Sequence, residues 1–149
     1  MQWLRAWIFL LAVAAATPLR AGESSIIKVL PHYLDMKGRH TLSPSLYERD
    51  AYQAYLRKHR NECSALRFDV QLKAPVNGPL TLRMELRGKQ TEMGTIVITK
   101  SIEPTKWFSR WSSVTLTGDD FKRCGEVVAW KAQILQRDEL IAEQHSFLW

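Results

Sequence analysis

The stretch LRFDVQLK, residues 66–73, decides the fold of this chain. Its leucine, phenylalanine and valine side chains alternate with charged or amide side chains. Alternation with a period of two residues is typical of a β-strand that buries one face. The stretch LTLRMELR, residues 80–87, repeats the pattern, so we expect a second strand there. Residues 74–79 hold an Asn-Gly pair and two prolines, which predict a hairpin or a tight corner between two sheets.

Five further segments carry strand signals, which brings the expected number of strands to seven. They are residues 26–30, 95–102, 110–117, 126–136 and 139–149. Pro31 is expected to end the first of them. Arg137 and Asp138 are expected to form the turn of a hairpin between the last two. The side chains of Val128, Trp130, Ala132 and Ile134 share one face, and Trp130 is expected to lie in the core.

One segment differs from this pattern and predicts a single helix over residues 44–59. Ser45 and Glu48 have the spacing of a capping box, and Pro44 suits the first turn of a helix. Apolar residues then recur at steps of three and four. Basic residues near the end of this helix complement its dipole. The sequence therefore predicts a mainly β domain with one inserted α-helix.

Residues 1–21 have the composition of a secretory signal peptide. A single arginine precedes an uninterrupted apolar run of 11 residues, and small residues follow. Such a run is much shorter than the ~20 residues needed to span a bilayer, so we favour cleavage over a retained anchor. We expect cleavage after Ala21, with Ala16 as the alternative site. The product is one secreted or periplasmic domain, residues 22–149, without a transmembrane segment.

Length, composition and charge exclude several classes of protein. The chain has 149 residues, of which 46% are hydrophobic and 24% charged, as in one ordinary globular domain. Loss of Arg5 and Arg20 with the signal peptide lowers the net charge from +6 to about +4. This excess is too small for the electrostatic footprint of a nucleic-acid-binding protein.

The two cysteines, Cys63 and Cys124, are predicted to form a disulfide because exported proteins fold in an oxidising compartment. About 60 residues separate them, unlike the closely spaced cysteines of a redox dithiol. Two unpaired buried thiols and a catalytic cysteine are the alternatives. A bridge would place the starts of the strands near Leu66 and Glu126 together, in opposite sheets and running in the same direction.

The strand order, the position of Trp130 and the turn at residues 118–121 before Cys124 resemble an immunoglobulin-like or fibronectin-type β-sandwich. The resemblance covers residues 66–149. The chain as a whole is also similar to small secreted bacterial proteins of unknown function. The resemblance implies an antiparallel sandwich of about seven strands, and it implies no activity.

A search for catalytic or metal-binding motifs favours a protein that is not an enzyme and has no cofactor. The four histidines are not spaced as metal ligands, and no nucleophile elbow, phosphate-binding loop or zinc-protease motif occurs. The neighbouring carboxylates at residues 119–120 and 138–139 lie in expected turns, where they cap backbone groups. We therefore predict no catalytic residue and no metal site.

Two surface features suggest binding of an unidentified protein or glycan partner. Trp107 and Trp111 are candidates for stacking against sugar rings, although tryptophans of a small domain also serve as core residues. Arg57, Lys58 and Arg60 are candidates for contact with an anionic partner, although such a run is also typical of a solvated helix end. The predicted function is an exported, non-catalytic binding or structural module. The alternative is a carbohydrate-binding or small hydrolytic accessory protein that uses exposed aromatic residues.

Overall fold

Two antiparallel sheets form the computed structural model, which describes residues 24–74, 78–90, 94–103 and 109–149. The first sheet has the order β1 (Ser25–Asp35), β2 (Cys63–Lys73) and β5 (Ser109–Thr117). The second has the order β4 (Thr95–Ile102), β3 (Leu80–Gly88), β6 (Val127–Gln136) and β7 (Glu139–His145). Two helices, α1 (Leu46–Lys58) and α2 (Gly118–Cys124), and a 3₁₀ turn, Arg60–Glu62, complete the described elements. The mainly β class is confirmed.

The core lies between the sheets and follows the alternation of β2 and β3. The apolar side chains of β2 from Leu66 to Leu72 are at most 3% exposed, and those of β3 at most 1%. β2 lies between β1 and β5, whereas β3 lies between β4 and β6 in the other sheet. The segment that joins β2 to β3 therefore crosses between sheets, which confirms the corner and not the hairpin. Residues 75–77 of that segment lie outside the described residues.

The expected end of the first strand at Pro31 is wrong. β1 continues through Pro31 to Asp35, with Pro31 opposite Phe68 of β2. β1 is an edge strand of its sheet, so one side of its backbone pairs with no strand among the described residues, and the missing N–H of a proline is tolerated there. The expectation of a two-residue turn at Arg137 and Asp138 is confirmed, since both have positive φ between β6 and β7.

The expectation that Trp130 is a core residue holds only in part. Ala132 and Ile134 of β6 are buried, but Val128 is 42% exposed and Trp130 is partly buried at the margin of the core. An irregularity in the pairing of β6 with β3 at Gly88 shifts the alternation before Trp130. The first residues of β6 therefore border an opening between the sheets.

Helix α1 begins and ends close to its predicted limits, and it covers part of the edge of β1. Ser45 caps the helix, with its hydroxyl accepting from the Glu48 N–H at 3.5 Å. The Gln53 side chain accepts from the Tyr33 N–H at 2.7 Å and donates to the Tyr33 carbonyl at 2.9 Å. Gln53 thus takes the place of a neighbouring strand at this point.

Helix α2 occupies a position where the sequence analysis expected a turn. Its acidic residues lie in its first turn and Lys122 and Arg123 in its last, as the helix dipole favours. Among the described residues, the helices are too short or too polar to cross a membrane.

Candidate functional site

Arg60 joins the two sheets at one end of the sandwich. Its Nη1 donates to the Tyr33 hydroxyl at 2.8 Å, and its Nη2 donates to the Gly125 carbonyl at 2.6 Å. Its guanidinium carbon lies 4.8 Å and 4.9 Å from the ring centroids of Tyr33 and Phe121. These contacts connect β1 and the start of β2 to the turn before β6. The charge of Arg60 therefore serves the fold.

A cavity of about 520 Å³, which we call the cationic groove, opens beside Arg60. α1 contributes Arg57 to its wall, and α2 contributes Phe121 and Lys122. Met36 and Glu126 also line it, from the segments that follow β1 and precede β6. The groove therefore lies where both helices meet one end of the sandwich.

Three cations line the groove, and two of them, Arg57 and Lys122, are available to a ligand. Arg57 and Lys122 lie in the last turns of their helices and are exposed. Within the described ranges, neither head group has a hydrogen bond or an ion pair with another side chain. Glu126 provides a negative charge at the same wall. The groove thus keeps a net positive charge that can attract an anion.

The three residues predicted to meet an anionic partner have separate positions in the structure. Arg57 lines the groove with a free head group, and Arg60 lines it with its guanidinium already engaged. Lys58 is exposed on α1 and is not among the lining residues. Successive residues of a helix point about 100° apart around its axis, so adjacent side chains cannot share one face.

The predicted bridge between Cys63 and Cys124 is not formed in the structure, where both thiols are free and buried. The Cys63 thiol donates to the Leu56 carbonyl of α1 at 3.3 Å, whereas Cys124 packs against the backbone of Gly88 on β3. Burial raises the pKa of both thiols. The strand arrangement inferred from the bridge is nevertheless present, since β2 and β6 lie in opposite sheets and both begin at the end joined by Arg60.

The two tryptophans proposed for sugar stacking are not both described. Trp111 lies on β5 with its side chain 53% exposed on the outer face of the first sheet. Trp107 lies outside the described residues. Trp111 is not among the residues that line the cationic groove.

A second polar cluster lies on the outer face of the first sheet, around His32 and Asp69. His32 lies within β1, and its Nδ1 is 3.0 Å from a carboxylate oxygen of Asp69. Burial alone would raise the pKa of Asp69, but the hydrogen bond from His32 and the charge of Arg67 hold it below its ordinary value. Burial, with the nearby charge of Arg67, lowers the pKa of His40, whose ring centroid is 5.1 Å from that of His32. In the described part of the chain, no three His, Cys, Asp or Glu side chains converge as metal ligands.

Sequence reasoning missed Met36, Lys122 and Glu126, which line the groove with Arg57. Lys122 had a usable signal, because acidic residues followed by basic residues within seven positions are typical of a short helix. Met36 and Glu126 carry no such signal. They reach the groove only through the pairing of their strands.

Comparisons with known protein families, with curated proteins and with solved structures find no match to this chain. Its function is therefore argued from the geometry of the groove.

Proposed function

We propose that the chain is an exported, non-catalytic binding module that holds an anionic ligand in the cationic groove. The observation that carries this proposal is a pair of exposed cations, Arg57 and Lys122, which have no partner among the described residues and lie on the wall of a cavity of about 520 Å³. Cavities of this size are typical of small-molecule sites. A cation with no partner inside the protein keeps its full charge for a ligand.

The chemistry of the groove favours binding over catalysis. Among the described residues that line the groove, Glu126 carries a carboxylate and Cys63 carries a thiol. The Cys63 thiol donates to a carbonyl, and burial raises its pKa, so it stays protonated at neutral pH. A nucleophile with an adjacent base, which covalent catalysis needs, is not found among the described lining residues.

The proposal includes an immunoglobulin-like or fibronectin-type fold and export to the periplasm or the cell exterior. The sheet orders β1-β2-β5 and β4-β3-β6-β7 support such a fold. They differ from the immunoglobulin constant type in one respect, because β4 pairs with β3 and not with β5. The apolar run of residues 6–16 and the small residues after it support export.

Sugar binding through Trp111 is a second candidate function, favoured by the half-exposed ring on the outer face of β5. Exposed aromatic rings stack on the apolar faces of sugars. Binding to a glycan array that is lost in Trp111→Ala and kept in Arg57→Glu would favour this function over the groove.

The groove is tested by placing a photoreactive amino acid at Met36 or at Tyr47 in the producing cell. Met36 is 71% exposed at the groove, and Tyr47 is 84% exposed near the start of α1, about 15 Å along the helix from Arg57. We expect a mass adduct at Met36 that disappears when Arg57 and Lys122 are both changed to glutamate. An equal adduct at Tyr47, or an adduct at Met36 that survives this charge reversal, would contradict the proposed function.

A further inference from the structure

A second cavity of about 260 Å³, which we call the apolar cleft, adjoins the cationic groove between the two sheets. Leu66 and Phe68 of β2 form one wall, and Val128 and Trp130 of β6 form the other. Arg57 and Glu126 line both the cleft and the groove. The two cavities are therefore adjacent, with apolar walls in the cleft and a net positive charge in the groove.

Two polar residues that line the apolar cleft, Tyr33 and Ser146, are paired inside the protein, whereas Arg57 and Glu126 line both the cleft and the groove. The Tyr33 hydroxyl accepts from Arg60, and the backbone of Tyr33 is bonded to the Gln53 side chain. The Ser146 hydroxyl accepts from the Trp130 N–H at 3.0 Å, and the Ser146 N–H donates to the Trp130 carbonyl at 2.9 Å. A hydrocarbon chain needs no hydrogen-bond partner, so it suits the space between the apolar walls of β2 and β6.

The groove is charged where the cleft is apolar, because Arg57 and Lys122 are exposed there without partners in the described part of the chain. We infer that the ligand is a single-chain amphiphile with a phosphate or carboxylate head between Arg57 and Lys122 and a hydrocarbon tail in the apolar cleft. This inference rests on the proposed function, since it names the ligand class of the same groove. Charge complementarity at the head and the apolar walls around the tail carry it together.

The first test is titration calorimetry of the purified protein with octyl, decyl and dodecyl phosphate below their micelle concentrations. Each additional buried methylene should strengthen binding about fourfold until the cleft is full. The heat capacity change of binding should be negative, as apolar burial requires. Dodecanoate in place of dodecyl phosphate distinguishes a fatty acid from a phosphate head. Binding that is equal at all chain lengths, or equal for dodecyl maltoside with its uncharged head, would overturn the inference.

The head-group contact is tested with two matched pairs of charge reversals. Arg57→Glu with Lys122→Glu should weaken binding of dodecyl phosphate at least about tenfold, because hydrogen bonds to charged groups are strong. Lys58→Glu with Arg123→Glu changes the same net charge on the same two helices outside the groove lining and should leave the affinity unchanged. Equal loss in both double variants would show a non-specific charge effect and overturn the inference.

The tail contact is tested with Val128→Gln and its control Val97→Gln. The two valines are 42% and 47% exposed on β6 and β4, so both substitutions leave the core intact. Val128→Gln should weaken dodecyl phosphate binding more than octyl phosphate binding, and Val97→Gln should change neither. If no amphiphile binds while the adduct at Met36 still depends on Arg57 and Lys122, the amphiphile is wrong and the groove function stands. If that adduct is also missing, both are wrong.

Discussion

Replacement of Arg110 by methionine should stabilise the protein. Arg110 lies on β5 opposite Leu72, and its side chain points between the sheets with 9% of its surface exposed. Its Nε, Nη1 and Nη2 atoms are buried and have no hydrogen-bond partner among the residues that the structure describes. An ion taken out of water without a partner costs several kcal/mol after relaxation. Methionine has a similar length and no charge, so it removes this cost and keeps the packing.

The expected gain in the free energy of unfolding is about 1 to 4 kcal/mol, the range found when buried ionic groups are replaced by apolar ones. Each kcal/mol raises the melting temperature of a domain of this size by about 3 to 5 °C. Urea unfolding should show a higher midpoint with an unchanged m-value, since the surface exposed on unfolding is nearly the same. Arg123→Met is the control, because Arg123 has a side chain 64% exposed and pairs with Asp120 at the surface. This control should change stability by less than about 0.5 kcal/mol.

A loss of more than about 1 kcal/mol in Arg110→Met would refute the reasoning, because such a loss is the sign of a broken interaction. It would mean that the guanidinium is paired in solution. An equal gain in Arg123→Met would instead indicate a general effect of lowering the positive charge.

Three further experiments test contacts at the groove and in its supports. Arg60→Met leaves the Tyr33 hydroxyl and the Gly125 carbonyl without their donor. The free energy of unfolding measured in urea should therefore fall by about 2 to 4 kcal/mol. An unchanged value would contradict the role of Arg60 in joining the sheets. Cys63 and Cys124 should both resist a thiol reagent in the folded protein, because both are buried and burial raises the pKa of each. In denaturant, both thiols should react. No reactive thiol in denaturant would mean that the disulfide forms. The third experiment is the substitution Asp35→Asn. Burial alone would raise the pKa of Asp35, but hydrogen bonds from the Arg39 N–H, the Tyr52 hydroxyl and other donors hold it far below its ordinary value of 3.8. The carboxylate therefore stabilises the fold above about pH 4 and loses this effect as the pH falls towards its folded-state pKa. Asp35→Asn should lower the stability at pH 7 and flatten the decline of stability in acid. Parallel curves of unfolding free energy against pH for the two proteins would contradict this.

Alternation of side chains was sufficient to predict β2 and β3, because burial of one face of a strand ties its sequence period to its structure. The same rule failed at β6, where an irregular pairing with Gly88 moves Val128 to the surface. The end of the first strand was predicted from Pro31 itself, which is wrong because a proline interrupts a central strand but is tolerated in an edge strand.

The candidate site was harder to predict than the fold, because its residues come from distant parts of the chain. Arg57 was singled out as part of a basic run, but the run itself is not the site. Met36 and Lys122 meet Arg57 only after β1 pairs with β2 and α2 packs at the same end of the sandwich. The partners of Arg60, a tyrosine hydroxyl and a backbone carbonyl, leave no pattern in the sequence either. Sequence patterns report local periodicity and not which turns are brought together by the topology.

The central claim, that the groove beside Lys122 is the occupied binding site, is tested most directly by the acylation rates of two lysines. Lys122 lines the groove, whereas Lys58 is exposed on α1 and is not among the lining residues. An amine-reactive reagent is applied to the protein in the producing cell and to purified protein that has been unfolded, stripped of ligand and refolded. We predict that Lys122 reacts severalfold more slowly in the cell than after stripping, with the rate of Lys58 unchanged. An unchanged ratio of the two rates would contradict the claim.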